Sequence, residues 1–393
     1  MYFSHTTYLS FPFFLLSTSS GIFAQSPCPD PENIFPCTCN ILHSRFHPLK
    51  NIFDYLQSDT FFEANNTIDN VEVVCWVENS SAGTSSVFNN VTWPFKKLQK
   101  FVLFGGNMEE DGNMAEDEIM AKEFPGGYFG DVSFERITIT GYQVATIHPS
   151  ALLSSLDTLE ELDIMFSHLK EFPWDTLPLL TKLTSLTLFG NELKEISSIL
   201  SDSIQNIDIS WNQIATLKSG WSAPNLTTLR MGMNPISEIP HGFFEGLGNL
   251  HFFNCDGCHL GPTLFKGSLG FHSEIVTYIG LSWNDISNIE EGAITGVTPD
   301  TFVGLDGNKI TDLTEATFRP ILEVLQRGFG SLSVTDNPII CGCRIDWFGR
   351  NPDFQAHISG SCQDGSSFED LDPHIFEQFC IERHPPCQPI SSP

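Results

Sequence analysis

Apolar side chains recur along the middle of the chain at fixed offsets. Leu183, Leu186, Leu188, Asn191 and Leu193 hold the first, fourth, sixth, ninth and eleventh places of one copy. Ile204, Ile207, Ile209, Asn212 and Ile214 repeat it, as do Leu226, Leu229, Met231, Asn234 and Ile236. Later copies carry Cys258, Asn284, Asn308 and Asn337 at the ninth place, and looser early ones carry Gly106, Tyr142 and Ser167. Alternation at the fourth and sixth places predicts a short strand with one face buried. The less regular residues that follow predict an irregular or helical return arc. A single such turn cannot bury its own apolar face, so the turns must stack. Where each strand ends, the chain bends inward and strands polar backbone groups away from water. An asparagine amide both donates and accepts, so Asn191, Asn212, Asn234, Asn284, Asn308 and Asn337 are read as a structural ladder.

The spacing, mostly within the roughly 20–29 residues of a leucine-rich repeat, resembles that repeat family. The resemblance implies an α/β fold: a curved solenoid of about ten turns with a concave parallel β-sheet. Repeats are assigned to 98–339, between cysteine-rich caps at 25–97 and 340–380. The step from Gly106 to Tyr142 is longer than the others. It holds an acidic insertion, 108–123, read as an exposed and mobile loop because clustered like charges resist packing; a site for a cation or a basic partner is the competing reading.

Composition narrows the function. The net charge is −29 over 393 residues, which argues against nucleic acid. The 41% apolar content supplies a core, so wholesale disorder is excluded. An apolar opening, Tyr8 to Leu16, is too short to span a bilayer and reads as part of a signal peptide over 1–24. No later stretch of sequence reads as a membrane span. Eleven cysteines, four near each end, fit an oxidising, extracellular compartment. Sequons at Asn65, Asn79, Asn90 and Asn225 are candidate glycosylation sites. Each cysteine cluster allows three pairings.

The end modules carry a closer resemblance. Cys28-Pro, Pro36-Cys-Thr-Cys39 and the run from Cys341-Gly-Cys343 through Trp347 and Cys362 to Cys380 resemble a family of secreted arthropod proteins. That family is named after the non-catalytic subunit of Oplophorus-luciferin 2-monooxygenase. The resemblance implies an accessory binding role without catalysis. It also implies that Cys28 pairs with Cys39, Cys37 with Cys75, Cys341 with Cys362, and Cys343 with Cys380. The acidic insertion and an additional Cys387 depart from the family; an odd Cys387 could join two chains into a disulfide-linked dimer.

Candidate chemistry is sparse. Cys255-Asp-Gly-Cys258-His259 spells a haem-attachment motif, yet both cysteines fall on repeat positions and read as core thiols or a local disulfide. No zinc-protease, phosphate-loop or nucleophile-elbow motif occurs, so no catalytic residue, metal or cofactor is expected. Alternation instead predicts a binding face. Phe252, Tyr278 and Phe302 hold the third place of consecutive turns, and Trp211 and Trp283 the strand exits. Asp163, Asp208, Asp256 and Asp306 hold fifth or seventh places of the same sheet. The expectation is a secreted, non-enzymatic accessory or scaffold subunit that holds a protein partner on this face. The alternative is an extracellular recognition protein, in matrix adhesion or innate immunity, that binds glycans or foreign surfaces.

Overall fold

The computed structural model describes residues 28–35, 37–41, 67–77, 88–105 and 122–380. The leader at 1–24, the sequons at Asn65 and Asn79, most of the acidic insertion, and the tail with Cys387 lie outside the described residues.

All ten repeat copies form a strand in one sheet, in chain order. These strands are Lys97–Gly105, Ser133–Thr140, Glu161–Met165, Ser185–Thr187, Asn206–Asp208, Thr228–Arg230, Phe252–Asn254, Tyr278–Gly280, Phe302–Gly304 and Ser331–Ser333. Every adjacent pair is parallel and in matching register; Leu186 faces Ile207, which faces Leu229, which faces Phe253. The sheet runs one strand further at each end than the repeats predict. Thr67–Val77 pairs in parallel with Lys97–Gly105, and Ile358–Ser359 pairs in parallel with Ser331–Ser333. Cys37–Ile41 then closes the front edge as an antiparallel strand, giving a 13-stranded sheet. The edge thus falls on a strand of five residues in place of one of eleven, which shortens the template an open edge offers for aggregation.

The inward places are buried almost without exception: Leu186, Ile207, Leu229, Phe253, Ile279, Val303 and Leu332 have no exposed surface. Return arcs fill the opposite layer with unlike devices. Two are 3-10 segments, Pro149–Ser155 and Trp174–Leu179, and the ninth repeat returns to the tenth through the helix Glu315–Leu325. Between them, Trp221, Phe243, Phe244, Phe253 and Phe271 pack ring against ring, with centroids 4.4 to 5.7 Å apart. Such contacts let irregular backbone fill a layer that a helix would otherwise occupy.

The asparagines bond as ladder rungs. Asn308 Oδ1 accepts from the backbone N–H of Asn284 and Ile286, each at 3.0 Å, while its Nδ2 donates to the carbonyls of Leu281 and Leu305 at 2.9 Å. Asn191 repeats this arrangement in full, and Asn212, Asn234 and Asn337 each accept from one backbone N–H and donate to two such carbonyls. The one interruption is turn 250–258, where Cys255 and Cys258 are joined by a disulfide and both are fully buried.

In the end modules, Cys28 is bonded to Cys39 and Cys37 to Cys75. Cys341 is bonded to Cys362 and Cys343 to Cys380. The closing module docks on the last turn through Trp347, whose Nε1 donates to the Leu313 carbonyl at 2.9 Å. One boundary needs correction. Lys122 and Glu123, assigned to the acidic insertion on composition, form a strand with Phe124 that pairs with Val144–Ile147. Buried Phe124 anchors them, and local charge does not override that contact.

Candidate functional site

The face of the sheet opposite the core carries the third, fifth and seventh residues of each turn. Strict register brings the third-place rings of three turns together: Phe252 lies opposite Tyr278, and Tyr278 opposite Phe302. The Phe252 and Tyr278 rings stack at 4.3 Å with planes 4° apart, and Tyr278 and Phe302 at 5.5 Å and 23°. The Arg230 guanidinium covers the outer end of the row, 4.7 Å from the Phe252 centroid. Sequence reasoning missed Arg230, although its fifth-place register in the preceding turn was readable.

The strip beside the rings is low. Gly280 and Gly304 hold its fifth places, and a Cβ on Gly280 would lie 2.7 Å from Asn254 Nδ2 and 2.9 Å from the Tyr278 ring. Small residues here expose the ring edges and leave room for carboxylates. Asp256 Oδ1 accepts from the Ser282 N–H at 2.7 Å, and its other oxygen accepts from Asn254 Nδ2. Asp306 Oδ1 accepts from the Thr335 N–H at 2.8 Å and from the Ser333 hydroxyl. Burial pushes the Asp256 carboxyl above the ordinary carboxylate value, and the nearby Asp306 charge adds to the rise. Burial also raises the Tyr278 phenol, with Asp256 as the second cause. Among the described residues, no Lys or Arg forms an ion pair with Asp208, Asp256 or Asp306, whereas Lys100 pairs with Glu72 and Arg136 with Glu161.

Not every residue of the expected face is in this patch. Asp208 lies two strands before Phe252, and Asp163 four strands before it. Asp208 accepts from the Ser210 N–H at 2.9 Å. Burial raises the Asp163 carboxyl, opposed by hydrogen bonds from Thr187 and Thr138 and by the charges of Lys100 and Arg136. Trp211 and Trp283 stand at strand exits, 57% and 61% exposed. The sequons at Asn90 and Asn225 are exposed, and Asn225 Nδ2 donates to the Asp202 carbonyl at 2.7 Å. The haem-like motif has its two sulfurs bonded to each other. Among the described residues, no cluster of three or more His, Cys, Asp or Glu could hold a metal, and no helix is long and apolar enough to cross a membrane.

No protein-family model matches the chain. It is 26% identical over 382 residues to the Oplophorus-luciferin 2-monooxygenase non-catalytic subunit of Oplophorus gracilirostris, across 90% of this chain and 88% of that protein. Lumican of Oryctolagus cuniculus is 30% identical over 131 residues, 32% of this chain and 67% of that protein. Human lumican matches at the same identity over 38% of its length. Among solved structures, a chain of the octameric complex of Latrophilin 3, Unc5D and FLRT2 (LRR) superimposes with a TM-score of 0.56 at 18% identity. That likeness covers 76% of this chain and 88% of the other. A chain of the Toll–Spatzle complex, a molecular hub in Drosophila development and innate immunity, gives 0.50 at 15% identity, over 74% of this chain and 46% of its own. At these identities the two structures bear on the fold.

Proposed function

Because the chain is a leucine-rich-repeat protein that resembles, over most of its length, the non-catalytic subunit of Oplophorus-luciferin 2-monooxygenase, we propose that it is a secreted, non-enzymatic binding subunit. It holds a protein partner on the sheet face, and the sheet curves so that this face is concave. The observation that carries the reading is the ordered row Arg230, Phe252, Tyr278, Phe302 beside carboxylates that have no Lys or Arg ion pair among the described residues. Aromatic and Arg side chains at a surface are the residues that most often anchor protein interfaces. The organisation proposed is a leader at 1–24, repeats at 98–339, and caps at 25–97 and 340–380.

The ring geometry favours protein over glycan. A sugar lies against the open face of an aromatic ring, but here stacking uses the inner faces and Arg230 covers one end of the row. What the row offers is mainly edges, which suit apolar and cationic side chains. Among the described residues no constellation of nucleophile, base and oxyanion donors accompanies it, and binding is the activity proposed.

The test is capture from native secretion by the immobilised chain. Replacing Tyr278 and Phe302 by Ala should abolish retention of a stoichiometric partner while secretion and melting stay near those of the parent. Retention unchanged by the double variant would remove the proposal.

A further inference from the structure

The eighth place of each turn, just past the strand, has a left-handed backbone in nine successive turns: Gly141, Phe166, Gly190, Trp211, Met233, Gly257, Trp283, Gly307 and Asp336. This conformation suits glycine and disfavours bulky side chains, by about 1–2 kcal/mol per residue. Four turns use glycine. Four others hold large apolar side chains in the same strained state, with φ between 50° and 59°. All four are substantially exposed: Phe166 48%, Trp211 57%, Met233 46% and Trp283 61%. The fold does not require them, since glycine serves the same position next door.

The glycines also make room for them. A Cβ on Gly190 would lie 2.7 Å from the Phe166 ring, one on Gly257 2.6 Å from the Met233 sulfur, and one on Gly307 2.5 Å from the Trp283 ring. Phe166, Met233 and Trp283 thus lean over the glycine of the following turn, while Trp211 is followed by Met233. With strands about 4.8 Å apart, Phe166 and Trp283 stand roughly 24 Å apart, and the four form one apolar ridge along the exit edge. Strain retained at exposed positions points to a function outside the fold.

The carboxylates run beside this ridge. Asp208 lies three residues before Trp211, and Asp256 and Asp306 lie one residue before Gly257 and Gly307, with no Lys or Arg ion pair among the described residues. At a net charge of −29, an anionic surface such as a nucleic acid or an acidic membrane would be repelled. We propose that the ridge, Phe166, Trp211, Met233 and Trp283, is a docking edge for a basic amphipathic segment of a protein partner. Its apolar side chains would pack on the ridge, and its Lys or Arg side chains would meet the three aspartates. This rests on the reading of the protein as a partner-binding subunit and names the chemistry of that partner.

The test uses three synthetic 18-residue peptides titrated calorimetrically against the full mature chain. One is amphipathic Leu/Lys, one has Glu for every Lys, and one has Ser for every Leu. The expected result is saturable binding of the Leu/Lys peptide, at least ten-fold weaker binding of the other two, and at least ten-fold weakening by Trp211→Gly with Trp283→Gly. Because glycine fits these positions, that double variant should melt at or above the parent temperature. Equal binding of the Glu peptide, equal binding of the Ser peptide, or full affinity in a well-folded glycine variant would each overturn the inference. The glycine variant also separates the two readings. If it still captures the native partner while Tyr278→Ala with Phe302→Ala does not, the ridge fails and the binding-subunit reading stands. If neither variant loses the partner, both fail.

Discussion

At the scale of single residues, the chain's most informative side chains are those that must satisfy buried backbone. Asn308 serves two N–H groups and two carbonyls inside the bend. Asn308→Ala leaves them without partners, at about 1–3 kcal/mol for each buried group. Chemical denaturation should therefore show a loss of at least about 3 kcal/mol, against less than about 0.5 kcal/mol for an exposed substitution such as Lys309→Ala. The ladder was legible because an amide at a fixed offset has one economical use. The behaviour of Asp256 was not, because its environment is assembled from three turns. Its carboxyl titrates above the ordinary value, so folding favours the protonated form. The stabilising effect of the protonated state is therefore present below the ordinary carboxylate range. It is lost as pH rises through the raised value. Comparing the parent with Asp256→Asn by denaturation across acidic to neutral pH should show the variant gaining relative stability as pH rises. A flat difference would contradict this. A cationic partner would reverse the preference, so affinity should grow over the same interval.

At the scale of elements, the strands were readable and the arcs were not. A strand in this fold needs only two inward apolar residues in register, and Leu186 and Leu188 announce it. An arc needs only to span the gap and cover the core, which 3-10 turns, two-residue β pairs and an α-helix all achieve here. No single periodicity marks such a segment. The position-eight ridge was half visible: its tryptophans were noticed as aromatic, but Phe166 and Met233 share the register and were passed over. Turn 250–258 offers a sharp element-level test. Its disulfide stands where the turns on either side have an apolar residue at the sixth place and asparagine at the ninth. Closing so short a loop stabilises by only about 2 kcal/mol in the chain-entropy model. Cys255→Leu with Cys258→Asn should restore the usual core contact and ladder rung. We expect it to fold within about 1 kcal/mol of the parent, whereas Cys258→Ala should lose more than that, because it breaks the disulfide and supplies no amide to the bend in its place. Because both variants lack the disulfide, a double variant no more stable than the single one would show that leucine and asparagine do not restore a rung in this turn.

At the scale of the molecule, stacking explains both the stability and the available surface. Each strand contacts its neighbours only, so the sheet grows in one direction and stops where a module closes it. The antiparallel strand Cys37–Ile41 does so at the front, and Trp347 with its neighbours at the back. Those closures draw on residues outside the repeats, which is why the sequence pattern ended the sheet two strands early at the front and one at the back. The long face between them is where side chains from distant residues meet, and register aligns the rings of Phe252, Tyr278 and Phe302. The most direct measurement of the proposed function is site-specific photo-crosslinking in native secretion, with the crosslinker at Tyr278 and, separately, at Phe265, 60% exposed on a return arc. The account predicts one discrete protein adduct from position 278 and none from position 265. Adducts from position 265 alone would place the partner on the opposite layer and contradict it.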